Sequence, residues 1–529
     1  MLALLACALS ASVLQGTVVN ARRVPAATTR ADFDRDGYAD LAIGIPFQGD
    51  GPGDSGRGRI SVLYGSRAGV DGDRDQRFGL DTPGIEGTAS EFDQFGSAVA
   101  TGDFDGDGNG DLAVRAANED TFGNGAVSIL YGTAGGLAVD RNQLIGPESP
   151  GVPTPPGFVE HFGRTLATGD FDGDGFDDLA IGIPGQEVSL QGAGAVLIAY
   201  GSATGIVTDR SQLWTRASPG IRGPADDADQ FGWALATANF GRGPQDDLAV
   251  GTPVGVIPTR TPGGAVSVLF GSAQGITAEG NQLLRQGMNG VPGSSEDGDR
   301  FGFALAAGRL GSYGRIGLAI GAPNEALSGL AGAGTVTVLF ATPNGLTGVG
   351  AQLWTQGSRG VEDGVEQGDR FGSALAVGNF RGDRWGDDLA IGVPWEDSPT
   401  ARDAGAVAVL FNCCDQTTSV GVRSEGDQLW TQASPGIQDD PADAASAPDA
   451  FGSQLTAANY GFDRRADLAV GVPLEDLGAI VDAGAVHVIY GDVTDGLTAS
   501  GNRFLSQDSP GIQGAAALGD WFGIFEGKI

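Results

Sequence analysis

Lysine is almost missing from this sequence: Lys528 is the only one in 529 residues. Arginine supplies the other basic groups, and 31 Lys plus Arg face 66 Asp plus Glu, for a net charge of −35. No basic face can be assembled to neutralise phosphates, which excludes nucleic acid as a partner. Cations are the natural partner instead. Histidine is nearly absent too, with only His161 and His487. Each sits inside a repeated phrase where other copies carry other residue types, which assigns both to the fold. Gly53-Asp54-Ser55-Gly56 resembles the surroundings of a protease serine, but no histidine precedes it, so no triad can be built. Of three cysteines, Cys413 and Cys414 are adjacent, which is neither zinc-ligand spacing nor a disulfide framework. They read as a surface-loop pair, free or joined as a vicinal disulfide. Long apolar runs are lacking as well. Met1–Gln15 is too short to span a bilayer, and Gly and β-branched residues interrupt every candidate helix.

Residues 1–23 form a signal-peptide-like segment, with small residues Ala6, Ala8, Ser10 and Ala11 where cleavage could fall. A basic start is missing, and Arg22 and Arg23 lie on the wrong side; a start codon placed too late would explain both. Cys7 after Leu4-Leu5-Ala6 also resembles a lipid acceptor, though few residues precede it. The expectation is a secreted or cell-surface chain with no transmembrane segment once the signal is removed.

Glycine, by contrast, is abundant, at 91 residues, and its distribution exposes an internal repeat. Phe-Gly recurs at Phe95, Phe162, Phe231, Phe301, Phe371, Phe451 and Phe522, at intervals of 67 to 80 residues. Asp-Leu-Ala-Ile-Gly-x-Pro, or a variant, begins at Asp40, Asp111, Asp178, Asp247, Gly317, Asp388 and Asp467. Gly-Ala-Val-x-Val-Leu-Tyr-Gly begins at Gly58, Gly125, Gly194, Gly264, Gly334, Gly405 and Gly484. The fourth phrase, usually Gln-Leu-Trp, begins at Gln76, Gln143, Gln212, Gln282, Gln352, Gln428 and Arg503. Short apolar runs bounded by Gly, Pro, Asp or Asn are strands. Four strands per unit and seven units predict an all-β fold, a seven-bladed β-propeller of four-stranded antiparallel blades over residues 24–529. A sheet apolar on both faces must stack on neighbours, and closing the ring removes the exposed ends. A β-helix is the other architecture, but its rungs are much shorter than seventy residues.

Phe-Gly, an acidic loop and then Gly-x-Pro (Gly44-Ile45-Pro46, Gly182-Ile183-Pro184, Gly321-Ala322-Pro323, Gly392-Val393-Pro394) resemble the FG-GAP repeat. That repeat builds the propeller head of integrin α subunits and of secreted bacterial relatives. The resemblance runs from about residue 31 to 525 and implies the fold strongly. It implies function weakly, since the same propeller carries adhesion and accompanies hydrolases and lyases. The first blade has no Phe-Gly of its own. Either Val24–Ala31 or the C-terminal Trp521-Phe522-Gly523 could supply its innermost strand.

Three blades carry a complete acidic loop between strands one and two. The candidate ligands are Asp32, Asp34, Asp36, Tyr38 and Asp40; Asp103, Asp105, Asp107, Asn109 and Asp111; and Asp170, Asp172, Asp174, Phe176 and Asp178. Carboxylates at positions 1, 3 and 5 converge when the chain curls, Gly at 6 permits the turn, position 7 offers its carbonyl, and position 9 closes the site. Hard oxygen ligands select calcium, about three ions per chain. An EF-hand would need Glu at position 12, where Ile43, Val114 and Ile181 stand. The other loops decay, and Arg242, Arg315, Arg384 and Arg464 appear in them. In blades four, six and seven such an arginine either replaces the metal as partner of the residual aspartate or lies exposed in a relaxed turn. Arg381-Gly382-Asp383, a tripeptide some integrins bind, falls inside the blade-six loop and reads as its relic.

No phosphate loop, serine elbow or zinc spacing marks an enzyme, although a glycosidase carboxylate pair stays open. The expected function is a monomeric, calcium-binding adhesion or ligand-binding module, the alternative being a hydrolase or lyase acting on polysaccharide or lipid. Its partner, a protein or glycan, is expected on the face formed by the loops before Phe-Gly and after Gly-x-Pro. Acidic stretches there (Asp226-Asp227, Glu296-Asp297, Asp439-Asp440) beside Trp233 and Trp395 suggest a basic or cation-bridged partner.

Overall fold

The computed structural model describes residues 30–49, 56–119, 124–153, 161–187, 192–225, 229–254, 263–398, 402–412, 421–438 and 449–525. The signal-like segment with Cys7, the pair Cys413 and Cys414, Asp54 and Ser55, and the acidic residues Asp226, Asp227, Asp439 and Asp440 lie outside them.

Seven antiparallel sheets follow one another along the chain, and consecutive strands are neighbours in every sheet. Blade one contributes β1 (Leu41–Ile45), β2 (Arg59–Leu63) and β3 (Gln76–Phe78). Blade two has β4 (Val99–Gly102), β5 (Asp111–Ala116), β6 (Ala126–Tyr131) and β7 (Ala138–Ile145). Blades three to seven repeat the four-stranded order. β5 and β6 are buried at every residue because blades cover both their faces, whereas the outermost β7 is partly exposed. The core therefore lies between blades: Ile60 and Val62 of blade one pack in one cluster with Val114 and Leu130 of blade two. No blade could hold that core alone.

The repeated glycines mark where blades touch. A Cβ at Gly44 would lie 1.9 Å from the Gly96 carbonyl oxygen, and one at Gly392 would lie 2.0 Å from that of Gly452. The Gly of Gly-x-Pro thus sits directly under the Phe-Gly of the next blade, an approach only glycine allows. The residue before each Phe-Gly, His161 included, takes a φ between 50° and 63°. This is how His161 belongs to the fold. At the outer edge, Tyr64 and Tyr131 accept the N–H of Leu137 and Ile206 in the following blade, both at 2.9 Å.

The two ends of the described chain meet in the innermost position of blade one. Phe522 donates its N–H to Ala483 at 3.0 Å, as Phe95 does to Arg57, and the Gly44 N–H reaches the Ile524 carbonyl at 2.8 Å. Ala31 accepts the Asp40 N–H at 2.6 Å further along the same strand. The C-terminal segment and residues 30–31 share a place that either alone was expected to fill. Phe522 and Phe525 then pack with Ile43 and Leu63 against Val486 and Val488 of blade seven. The ring is closed.

Candidate metal centres and the opposite face

In blades one to three the loop between the first two strands is curled by its own carboxylates. In blade two, Asp111 accepts the Phe104 N–H at 2.7 Å and, with its other oxygen, the Gly132 N–H at 2.9 Å. Asp40 and Asp178 do the same in blades one and three. Asp103 accepts the Gly108 N–H at 3.1 Å. The position-7 residues Tyr38, Asn109 and Phe176 donate their N–H to Asp36, Asp107 and Asp174 at 2.9, 2.8 and 3.1 Å.

Three acidic groups result: Asp32, Asp34 and Asp36; Asp103, Asp105 and Asp111; Asp170, Asp172 and Asp178. One oxygen of each member lies within 4.8 Å of the others. Asp40 is not in the first group, nor Asp107 and Asp174 in the second and third. Burial, helped by Asp177 and then Asp107, pushes Asp103 up to about 6, and its Oδ1 is buried without a hydrogen-bond partner. Burial likewise pushes Asp40, Asp111 and Asp178 up to about 8. Crowded carboxylates with an orphaned oxygen fit a hard divalent cation, which would supply the charge they lack.

An arginine from the outer strand braces each of these loops. Arg74 pairs with Asp34 at 2.7 Å, Arg141 with Asp105 at 2.9 Å, and Arg210 with Asp172. Each guanidinium also covers a tyrosine: Tyr64 at 4.6 Å, Tyr131 at 4.9 Å and Tyr200 at 4.4 Å. Sequence reasoning missed these residues, yet all three stand two positions before the repeated Gln76, Gln143 and Gln212. That fixed offset is the signal that would have found them.

The degenerate loops are built differently. Asp247, Asp388 and Asp467 still accept backbone N–H groups at both oxygens, Asp467 taking those of Tyr460 and Gly461 on one and of Gly491 on the other. Position 9 therefore serves the backbone even where the other carboxylates are gone. The expected ion pairs largely give way to ring stacking. Arg242 covers Phe270 at 5.3 Å and Arg315 covers Phe340 at 5.6 Å. In blade six Arg384 lies over Trp385, while Arg381 covers Phe411 at 3.7 Å and its charge acts on Asp388. In blade seven the partner of Asp463 is Arg465, not Arg464. Arg381-Gly382-Asp383 is tied down inside its loop, with Asp383 accepting the Trp385 N–H at 2.8 Å.

The FG-GAP repeat model matches residues 24–63, 95–130 and 162–198. Those segments fall in the three blades with complete acidic loops. The chain is 31% identical over 216 residues to human phosphatidylinositol-glycan-specific phospholipase D, covering 40% of this chain and 24% of that protein. It is 32% identical over 218 residues to Drosophila melanogaster integrin alpha-PS2, covering 40% and 14%. Over 121 residues it is 36% identical to Xenopus laevis integrin alpha-4, covering 22% and 11%. With the seven-bladed ring, these matches decide the type. The chain is an integrin-like FG-GAP propeller. It spans a quarter or less of the length of these relatives.

On the propeller's opposite face, loops entering Phe-Gly meet loops leaving Gly-x-Pro, as where the Ala117 N–H reaches the Asp93 carbonyl at 2.5 Å. Gln–Glu pairs clip these junctions: Gln286 to Glu325 at 2.6 Å and Gln356 to Glu396, both buried, and the partly buried Gln432 to Glu475. Burial, then a hydrogen bond with Asp363, pushes Glu396 up to about 9. The central channel, about 360 Å³, is lined largely by Ala, Leu and Thr of the innermost strands. Where it meets the acidic loops, Arg30 pairs with Asp177 at 2.6 Å and Asp246 at 3.4 Å. At the other end, beside the channel-lining Ala234, Trp233 packs on Phe303 with centroids 5.6 Å apart, and further out Arg370 covers Trp395 at 5.7 Å. Among the described residues, no helix is long and apolar enough to cross a membrane.

Proposed function

We propose that this propeller is an extracellular, calcium-stabilised ligand-binding module that acts as a monomer and takes a protein or glycan on its inter-blade loop face. The observation that carries this reading is the division of labour between the two faces. Acidic triads occupy one face, while half-exposed aromatic side chains stacked with arginines stand on the other. Rigid scaffolds present binding groups on loops in this way, and aromatic anchors dominate binding energy at such surfaces. Oxygen-only donors favour calcium over softer metals. The likeness to integrin alpha chains supports an adhesive role outside the cell. The hydrolase alternative draws on the phospholipase likeness and on the Glu396–Asp363 carboxyl pair. Glu396, however, holds the same junction position as Glu325 and Glu475, which makes it one more clip before it is an acid catalyst.

A glycan and protein array probed with and without calcium tests the reading. Binding that needs calcium, and that falls when Trp395 is changed to Ala, is the expected result. Binding lost only when the acidic-loop face is altered would place the site on the wrong side of the ring.

A further inference from the structure

The junction between blades two and three breaks the glycine rule that holds at the others. Where Gly44, Gly182, Gly251, Gly321, Gly392 and Gly471 pass under the next Phe-Gly, blade two carries Arg115. Its Nε donates to the Phe162 carbonyl at 3.0 Å and its Nη1 to Ser97 Oγ at 3.4 Å. Arg115 is only 4% exposed, and among the described residues it has no carboxylate partner, in a chain of net charge −35. A second arginine lies beside it. Arg164 follows the Phe-Gly of blade three, is likewise without a carboxylate among the described residues, and stacks on Trp233 at 4.3 Å. Trp233 adds a buried Nε1–H with no acceptor. Burial and the neighbouring Arg164 charge lower Arg115 to about 9, and burial also lowers Arg164. Two cations and an idle donor held together with no anion among the described residues are costly in a folded protein. Such a cost is commonly retained at functional sites.

We infer that Arg115, Arg164 and Trp233 form a carboxylate-binding site for an acidic sugar unit at the channel rim. Thr165 and Ala234, the next residues along both strands, already line the channel, whose volume of about 360 Å³ is within the range of small-ligand pockets. Arg recognises a carboxylate through paired N–H donors. The half-buried ring of Phe303 beside Trp233 offers a flat apolar surface for the sugar. The surrounding loops favour a glycan over an acidic peptide. Exposed Glu296 and Asp297 would repel a run of carboxylates but accept hydrogen bonds from hydroxyls. This inference rests on the reading of the inter-blade face as the ligand face and names the chemistry taken there.

Calorimetric titration of the full chain with three probes provides the test: a glucuronate-containing tetrasaccharide, the same sugar with glucose replacing glucuronate, and a tetraglutamate peptide. The acidic sugar should bind and the other two should not. Arg164→Gln should weaken binding at least tenfold, and Arg164→Lys by less. Arg115→Gly restores the repeat's own residue, so it should melt no lower than the parent while also losing at least tenfold in affinity. Equal binding of the neutral sugar, unchanged affinity in Arg164→Gln and Arg115→Gly, or no binding of the acidic sugar overturns the inference. Tetraglutamate binding without sugar binding would make this a peptide site. An array ligand that both variants bind like the parent would leave the ligand-face reading standing and this inference fallen. No ligand of any kind would remove both.

Discussion

Blades one to three and blades four to seven solve one problem in two ways. In the first three, an outer-strand arginine crosses a tyrosine to reach an acidic loop. In blades four, six and seven a glycine takes that arginine's place (Gly280, Gly426, Gly501), and a side chain of the loop itself moves towards the space. A Cβ at Gly280 would lie 2.1 Å from the Arg242 guanidinium, one at Gly426 3.4 Å from that of Arg381, and one at Gly501 3.4 Å from the Phe462 ring. Charge has thus been withdrawn from the loop and volume returned from the other side. A loop that loses its carboxylates is repacked, not simply relaxed, and the position-9 aspartate keeps the backbone in the same course in every blade but the fifth, where Gly317 stands. The lesson is that two functions overlap in one nine-residue phrase: holding the backbone, which persists, and gathering carboxylates, which does not.

The widest gap between the two sets should open on removal of calcium. Metal bound only by the folded state adds about 4 kcal/mol per site at a thousandfold excess over Kd. Chelation is expected to lower the melting temperature sharply and to strip hydrogen-exchange protection from the loops of blades one to three alone. Equal loss of protection in blade five, which has no carboxylate in its loop, would erase the distinction. A smaller effect separates the roles within the phrase. Asp105→Ala should reduce bound calcium from three equivalents to two, whereas Asp467→Ala should cost about 1–3 kcal/mol of stability through its orphaned N–H groups and leave the count at three. Calcium counts by calorimetry and urea midpoints would decide it.

The smallest effect is on pH. Burial holds Asp467 at about 8, and Asp247 and Asp388 at about 7, against an ordinary 3.8. The folded chain keeps protons that the unfolded chain has released. Their contribution to stability is complete below pH 3.8 and is lost as pH rises through 7 to 8. The backbone N–H groups on the same oxygens oppose the rise, and a net fall of at least about 1 kcal/mol is expected. Urea unfolding at pH 5 and pH 8.5 should show that fall in the parent and less of it in Asp467→Asn.

The ring and its loops were legible in the sequence because they recur. Seven copies of four phrases announce the strands, and the orphan Phe522-Gly523 marks a closing segment. What recurrence cannot show is a partnership between different blades. Arg30 meets Asp177 and Asp246, 147 and 216 positions away, with no repeated spacing to suggest it. Arg381 and Arg465 were passed over for Arg384 and Arg464 because neighbours in a turn point in different directions, and composition alone does not tell which faces inward. Arg115 was visible as a departure from Gly-x-Pro. Its meaning needed the junction geometry that makes a glycine there the rule.

The Arg30 pairing bears on how the ring can deform. Contacts between adjacent blades resist only their separation, and a hoop held by such contacts can still flatten into an oval. Arg30 leaves blade one and fastens on blades three and four, so it acts as a spoke drawn across the hoop. Flattening along that line would have to stretch two charge-assisted hydrogen bonds at once. The acidic-loop end of the channel should therefore keep its outline while the far rim, where Arg164 and Trp233 stand, is left the freer of the two to adjust to what it holds.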